Sequence, residues 1–368
     1  MKKKVTIFGS TGSIGISTLD IIKDHPDKYE VVGLSINNNY KKLLEQVSIH
    51  KPKFVTIQNE KSYLRFKELY TSNDLKILNG NDSYGEILDN KTDIVVAAIT
   101  GSAGLLPVVS AIEKGIDIAL ANKESLVCSG SLITSLAKKY GSLILPVDSE
   151  HNAIYQVLDL KNKSKISKLI LTASGGPFLN KKNNELNEVT PEEAVRHPNW
   201  SMGKKISVDS ATMMNKGLEL IEAHYLFDMP AKKIEIIVHP ESIIHSCVEY
   251  ADGSILSQMG NPDMRTPISY ALAYPNRIST SVKKLKLSSI EKLTFYEPDY
   301  KKFPCLELAY YSLKIKKSAP TILNASNEIA VDAFLNRQIS YLSIPKIVEK
   351  TLNKASISNI NSIKDVIE

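Results

Sequence analysis

The 368 residues hold only three cysteines, Cys128, Cys247 and Cys305. They lie far apart and without CxxC spacing, which excludes a disulfide framework and a zinc cluster and fits a reducing cytosol. There is one tryptophan, Trp200. No apolar run approaches the roughly 18 residues needed to cross a bilayer, the longest being stretches such as Ile94 to Ile99. The formal charge of +6 is small for the length, so neither nucleic acid nor an anionic membrane is expected as a partner. Met1 to Lys4 is basic, but only about four apolar residues follow before Gly9, so the start reads as a strand rather than a signal or transit peptide. Arginine is scarce too: lysine outnumbers it about eightfold, a codon bias that weakens any argument from a surplus lysine.

The remaining composition is that of a folded soluble protein, with 43% hydrophobic and 23% charged residues. The length predicts two to three domains. From residue 5 to 148, β-branched runs alternate with helical stretches: Val5–Phe8, Val31–Ile36, Phe54–Ile57, Ile94–Ile99, Ile116–Ala121 and Leu143–Val147 read as strands. That rhythm predicts a doubly wound parallel sheet. Beyond Asp148 the rhythm changes. Lys168–Ala173, Lys205–Val208, Glu235–Val238, Ile243–Tyr250 and Ile255–Met259 read as strands, Asp252-Gly253 as a hairpin turn, and Met213–Phe227 as a helix. The expected fold is α/β, with a parallel-sheet dinucleotide-binding domain over 1–150 and a central α+β domain over 151–274. A connecting arm over 275–303 and a helical domain over 304–368 complete it.

Directly after the first strand comes Gly9-Ser10-Thr11-Gly12-Ser13-Ile14-Gly15, opening a helix to about Lys23. Small residues allow a pyrophosphate to approach the backbone, and the N–H groups and dipole at the helix start favour its charge. An NAD site usually carries an acidic residue after the second strand to hold the ribose hydroxyl. Here the chain reads Asn37-Asn38-Asn39, with Lys41 and Lys42 close by, so NADPH is the expected cofactor.

Val147-Asp148-Ser149-Glu150-His151 follows the last strand of the first domain, and if extended would aim Asp148 and Glu150 the same way. Paired hard oxygen ligands suit Mg²⁺ or Mn²⁺. The helix from Met213 adds Asn215, Glu219 and Glu222 as a polar stripe, and one of its faces could supply a third carboxylate. Ser207 to Lys216 gathers hydroxyls, an amide and an ammonium around a helix start. Ser174-Gly175-Gly176-Pro177 is a second turn able to present N–H groups to an anion. Either stretch could instead be ordinary capping. His197 to Gly203 holds Trp200 between a short capped helix and a strand, as a loop able to close over a substrate or as core filling.

Taken together, GSTGSIG at 9, ANKESLV at 121, PVDSEHNAI at 146, SGGPF at 174, the 24 residues from Arg196 to Glu219, and PDMRTP at 262 resemble the 1-deoxy-D-xylulose 5-phosphate reductoisomerase family over essentially the whole chain. The resemblance implies NADPH- and metal-dependent isomerisation and reduction of 1-deoxy-D-xylulose 5-phosphate to 2-C-methyl-D-erythritol 4-phosphate, in the non-mevalonate isoprenoid pathway, by a homodimer. It implies Asp148, Glu150 and Glu219 as metal ligands, with Lys123 and Ser149 also meeting the substrate. Ser174, Ser210, Asn215 and Lys216 would surround the phosphate, His197 would lie beside the substrate and Trp200 would cover it. Cofactor contacts would come from Thr11, Gly12, Ser13, Ile14, Asn37, Asn38, Asn39, Asn122, Glu124 and Gly203.

Two departures from the family pattern stand out. Asn37-Asn38 replaces Gly-Lys, which removes a cation for the 2′-phosphate, so that either the NADPH preference is weaker than usual in the family or Arg196 or Lys41 compensates; and the chain ends at Glu368, where members continue into a further helix. Two competing readings are a semialdehyde-type dehydrogenase, which needs an activated cysteine, and a non-enzymatic NADP sensor, which needs no metal.

Overall fold

A computed structural model of the chain describes every residue except Asn81, Asn90 and Ser201. Ser201, within the Trp200 stretch, therefore lies outside the described residues. The chain forms two compact units. The first comprises Met1–Ser125, Ile133–Asp148 and Met264–Val282, and the second Leu126–Leu132, Ser149–Asp263 and Lys283–Glu368.

Seven parallel strands make the sheet of the first unit: β1 (Lys3–Phe8), β2 (Tyr29–Ile36), β3 (Phe54–Ile57), β4 (Lys76–Leu78), β5 (Ile94–Ala97), β6 (Asp117–Leu120) and β7 (Ile144–Pro146). Their spatial order is β4-β3-β2-β1-β5-β6-β7. The order reverses between β1 and β5, the place where open α/β sheets bind ligands. Val5, Ile7, Phe8, Ile94, Val95 and Val96 are fully buried, as expected of strands covered by helices on both faces. β4 escapes sequence reading because three residues carry no usable period.

The second unit holds a mixed sheet of β8 (Ile166–Ala173), β9 (Ile234–Val238), β10 (Ile244–Tyr250) and β11 (Ile255–Met259), in the order β11-β10-β8-β9. β8 and β9 run parallel and the other pairs antiparallel, with the expected turn at Asp252-Gly253, where Gly253 takes φ +85°. The helix Met214–Leu226 buries Leu218, Leu220 and Ile221 in a core shared with this sheet and with the helices Cys305–Ile315 and Ala319–Leu335.

Two local expectations need correction. Lys205–Val208 is not a strand but part of a helix, Lys204–Ala211, capped by Gly203; the alternation in Lys-Ile-Ser-Val mimics a strand, yet burial takes in Ser207, Val208 and Asp209 in succession, and Ala211, which no strand alternation gives. The Trp200 stretch therefore lies between two helices, Pro191–Ala194 and Lys204–Ala211. Nor is the segment after β7 extended: a helix, Ser149–Val157, begins immediately after Asp148, so Glu150 sits in its first turn and the two-residue alternation of a strand does not apply.

Candidate active site

In the first unit the turn after β1 is shaped by what its glycines lack. Gly9 takes φ +84°, and a Cβ there would stand 2.6 Å from the Ala98 carbonyl oxygen. A Cβ on Gly15 would stand 2.5 Å from Gly9 O and from Ser10. Only bare backbone can fold back so tightly. The turn hangs from β2, since Gly9 N and Ser10 N donate to Ser35 O at 3.0 and 2.9 Å. Gly12 and Ser13 are exposed at the start of the helix Ser13–Asp24, whose first N–H groups have no partner within the helix.

The asparagines after β2 are partly spent on structure. Asn39 caps the helix Tyr40–His50 through Lys42 N at 3.2 Å, while the Asn37 and Asn38 carbonyls accept from Asn59 N and Ser62 Oγ. Asn122 is buried. Its amide donates to the Ile99 and Gly101 carbonyls at 2.7 and 2.8 Å and to Glu124 at 3.0 Å, which braces the loop after β5. Lys123 and Asp148 form a largely buried ion pair at 2.8 Å.

The second unit gathers charged side chains from separate stretches. Lys216 is buried, and its ammonium lies 3.3 Å from Glu150 and in a short contact with Glu219. Ser149 Oγ donates to Glu150 at 2.7 Å, and the Asn215 amide donates to Glu219 at 2.5 Å. Two carboxylates thus share one cation in a site nearly closed to water, an arrangement whose desolvation cost is tolerable only when the charges stay partnered. Behind them the fully buried His151 makes a 2.9 Å hydrogen bond with the Glu219 carbonyl through Nε2, and its Nδ1 lies 3.4 Å from Glu222. Glu222 of the expected polar stripe is therefore engaged with His151 in the core.

A second cluster surrounds Ser174. Gly175 and Gly176 both take positive φ, and a Cβ on Gly176 would stand 2.5 Å from Ser210 O, so the turn packs on the C-terminal end of the Lys204–Ala211 helix. His197 Nδ1 accepts from the N–H groups of Asn199 and Trp200, at 3.1 and 3.0 Å. That fixes the proton on Nε2, which donates to Ser174 Oγ at 2.9 Å. Burial, aided by the Lys216 charge, pulls His197 down to about 4. The imidazole is thus neutral. Ser174 Oγ also accepts from Gly176 N at 3.2 Å, so neither bond uses its own proton.

Three family models match, one described as 1-deoxy-D-xylulose 5-phosphate reductoisomerase over residues 5–130, and two as C-terminal domains of that enzyme over 144–227 and 259–368. A curated relative of that name from Geotalea daltonii is 49% identical over the whole chain and 96% of its own length. The chain belongs to the 1-deoxy-D-xylulose 5-phosphate reductoisomerase family. Among solved structures, the reductoisomerase from Zymomonas mobilis in complex with NADPH has TM-score 0.94 at 46% identity, covering 100% of this chain and 96% of that one. Another, solved with NADPH, fosmidomycin and magnesium, has TM-score 0.93 at 46% identity over 96% of this chain and 89% of its own.

Within the second unit the structure brings together Glu150, Asn215, Lys216 and Glu219, and separately Ser174, His197 and Trp200, with Ser210 beside the Ser174 turn. Gly203 is exposed and caps the following helix. Other residues shape these regions without a sequence signal. Gln46 exchanges two hydrogen bonds of 2.8 Å with Ser10 and so pins the glycine turn; Asn199 and Ser242 join the Trp200 stretch to the turn before β10. Their partners lie tens of residues away, beyond any local pattern.

Proposed function

We propose that the chain converts 1-deoxy-D-xylulose 5-phosphate to 2-C-methyl-D-erythritol 4-phosphate, with NADPH as reductant and a divalent ion bound by Asp148, Glu150 and Glu219. The observation that carries the reading is the Lys216 ammonium held between Glu150 and Glu219, next along the helix to Asn215. Hard carboxylate donors gathered around a single positive charge fit Mg²⁺ or Mn²⁺. Asp148 is joined to this pair through Ser149. When bound, such an ion supplies a positive centre for the ketone and hydroxyl oxygens whose charge grows as the skeleton rearranges.

The residues divide the remaining work. Lys216, Asn215, Ser174 and Ser210 offer an ammonium, an amide and two hydroxyls to the phosphate, which orients the reacting end. Neutral His197 holds the Ser174 hydroxyl as a donor towards that phosphate, and Trp200 covers the substrate to exclude water. Lys123 holds Asp148 in place through their buried pair. On the first unit, Thr11, Gly12, Ser13 and Ile14 present the helix start to the cofactor pyrophosphate. Asn37, Asn38 and Asn39 border its ribose, Asn122 and Glu124 brace the neighbouring loop, and Gly203 contributes backbone. Without a cation at Asn37 or Asn38, discrimination between NADPH and NADH is expected to be modest.

The dehydrogenase alternative loses support, because all three cysteines are buried. Burial pushes the Cys247 thiol up to about 11 and Cys305 up to about 12, away from the reactive thiolate. β11 supports a homodimer: it ends the sheet as an edge strand with Ile255, Leu256 and Met259 exposed, the kind of edge that pairs with another chain. No helix among the described residues is long and apolar enough to cross a membrane, and a cytoplasmic bacterial location is part of the proposal. The deciding assay is NADPH oxidation with 1-deoxy-D-xylulose 5-phosphate, with and without Mg²⁺. No oxidation in the presence of the metal overturns the reading.

A further inference from the structure

Asn199 makes three hydrogen bonds that tie its loop to a second turn and to His197. Its side-chain amide donates to the Pro240 carbonyl at 2.8 Å and to Ser242 Oγ at 2.9 Å. Its backbone N–H, together with that of Trp200, donates to His197 Nδ1. Both protons of the amide are thus committed to the turn between β9 and β10, while the backbone of the same residue orients the imidazole.

The turn that Asn199 grips is firm. His239 is fully buried, its Nδ1 donates to the Thr294 carbonyl at 2.9 Å, and its Nε2 accepts from Ile243 N and Ile244 N at 3.3 and 3.2 Å. The ring stacks on Phe295 at 4.7 Å, and Glu241 accepts from the Thr294 hydroxyl at 2.6 Å. Ser242 is held at φ +51°, a conformation unfavourable for a residue with a side chain, and its N–H donates to the His239 carbonyl at 3.1 Å. Backbone strain of this kind persists only where the surroundings enforce it. On the other side, the Trp200 ring lies 6.1 Å from that of His245 on β10.

We propose that Asn199 is a positioning residue: by clamping the Trp200 stretch to the His239–Ser242 turn, it sets where His197 and Trp200 stand over the substrate. This rests on the reading of those two residues as substrate-facing. Asn199 itself acts only through them, and the chemistry it serves is orientation.

The test uses Asn199→Asp in the full-length protein with Mg²⁺ and NADPH. The carboxylate keeps the size of the amide but has no proton to give the Pro240 carbonyl. The KM for 1-deoxy-D-xylulose 5-phosphate is expected to rise about tenfold, the worth of roughly one hydrogen bond, with NADPH affinity unchanged. Because Trp200 is the only tryptophan, its fluorescence reports this segment alone, and quenching by acrylamide is expected to increase in the ligand-free variant. Ser242→Ala, which keeps the Pro240 contact, should shift both readings in the same direction by less. Adding it to Asn199→Asp removes the remaining contact, in which the Ser242 hydroxyl donates to the new carboxylate, and should shift both readings further. Unchanged KM and quenching in Asn199→Asp overturn the clamp, and if that variant fails to fold, unchanged readings in Ser242→Ala do so. Absence of turnover in the unmodified protein instead overturns the assigned reaction, and the quenching comparison still judges the clamp.

Discussion

The glycine turn of the first unit and the Lys216 cluster of the second are built by opposite means. The turn is backbone, seven consecutive residues in which Gly9 and Gly15 are required because no Cβ fits. The cluster is side chains, drawn from Glu150, Asn215, Lys216 and Glu219 on two helices, with Ser174 and His197 arriving from two loops. A backbone site is specified by local steric rules and tolerates any side chain that stays out of the way. A site made of buried charges is specified by topology, and burying each charge is costly unless the others partner it.

The contrast predicts unequal sensitivity. Glu219→Gln should give the largest effect, lowering kcat by at least about a thousandfold by removing a charge that acts in the transition state. Circular dichroism and NADPH titration should show the first unit intact; turnover near the unmodified level would remove Glu219 from the metal site. Next is Lys216→Met. Loss of the ammonium should raise KM by about a hundredfold through the phosphate, and take the Lys216 charge from both Glu150 and Glu219. The metal-free protein should therefore melt earlier, and Mg²⁺ should raise its Tm by more than it raises that of the unmodified chain. Equal Mg²⁺ stabilisation in the two proteins would show that these carboxylates do not share an ion.

Gly15→Ala breaks the other half of the comparison. It should weaken NADPH binding by about tenfold and cost on the order of 1–3 kcal/mol of stability, with Mg²⁺ affinity untouched; calorimetric titration of each ligand separates the two.

The smallest effect concerns pH. His197 and His245 lie near 4 in the folded protein because burial disfavours their charged forms, against an ordinary value of 6.5. The unfolded chain therefore takes up protons first, and the stability these rings contribute above pH 6.5 is lost as the pH falls towards 4. Thermal melts across that window should show His197→Asn declining less steeply than the unmodified protein. Parallel curves would mean that His197 is already open to water.

Legibility followed the same division. The parallel sheet, the glycine turn and the hairpin at Asp252-Gly253 could be read because each depends on neighbours in sequence. Lys205–Val208 reads as a strand because four residues of alternating polarity satisfy both a strand and a helix until the packing of Val208 and Ala211 decides. The helix after Asp148 was hidden for a related reason, since a carboxylate, a serine and a glutamate suit a strand end as well as a helix start. The site residues emerged from family resemblance more than from pattern. Nothing near Lys216 in sequence announces Glu150, and nothing near His197 announces Ser174. The tautomer of His197 depends on two backbone N–H groups whose direction only a folded loop defines.

The path of the chain adds one more consequence. It passes from one unit to the other at 125/126, 132/133, 148/149, 263/264 and 282/283. No single cleavage releases either half, and a gene fusion meant to exchange one nucleotide-binding half for another would need five joints rather than one.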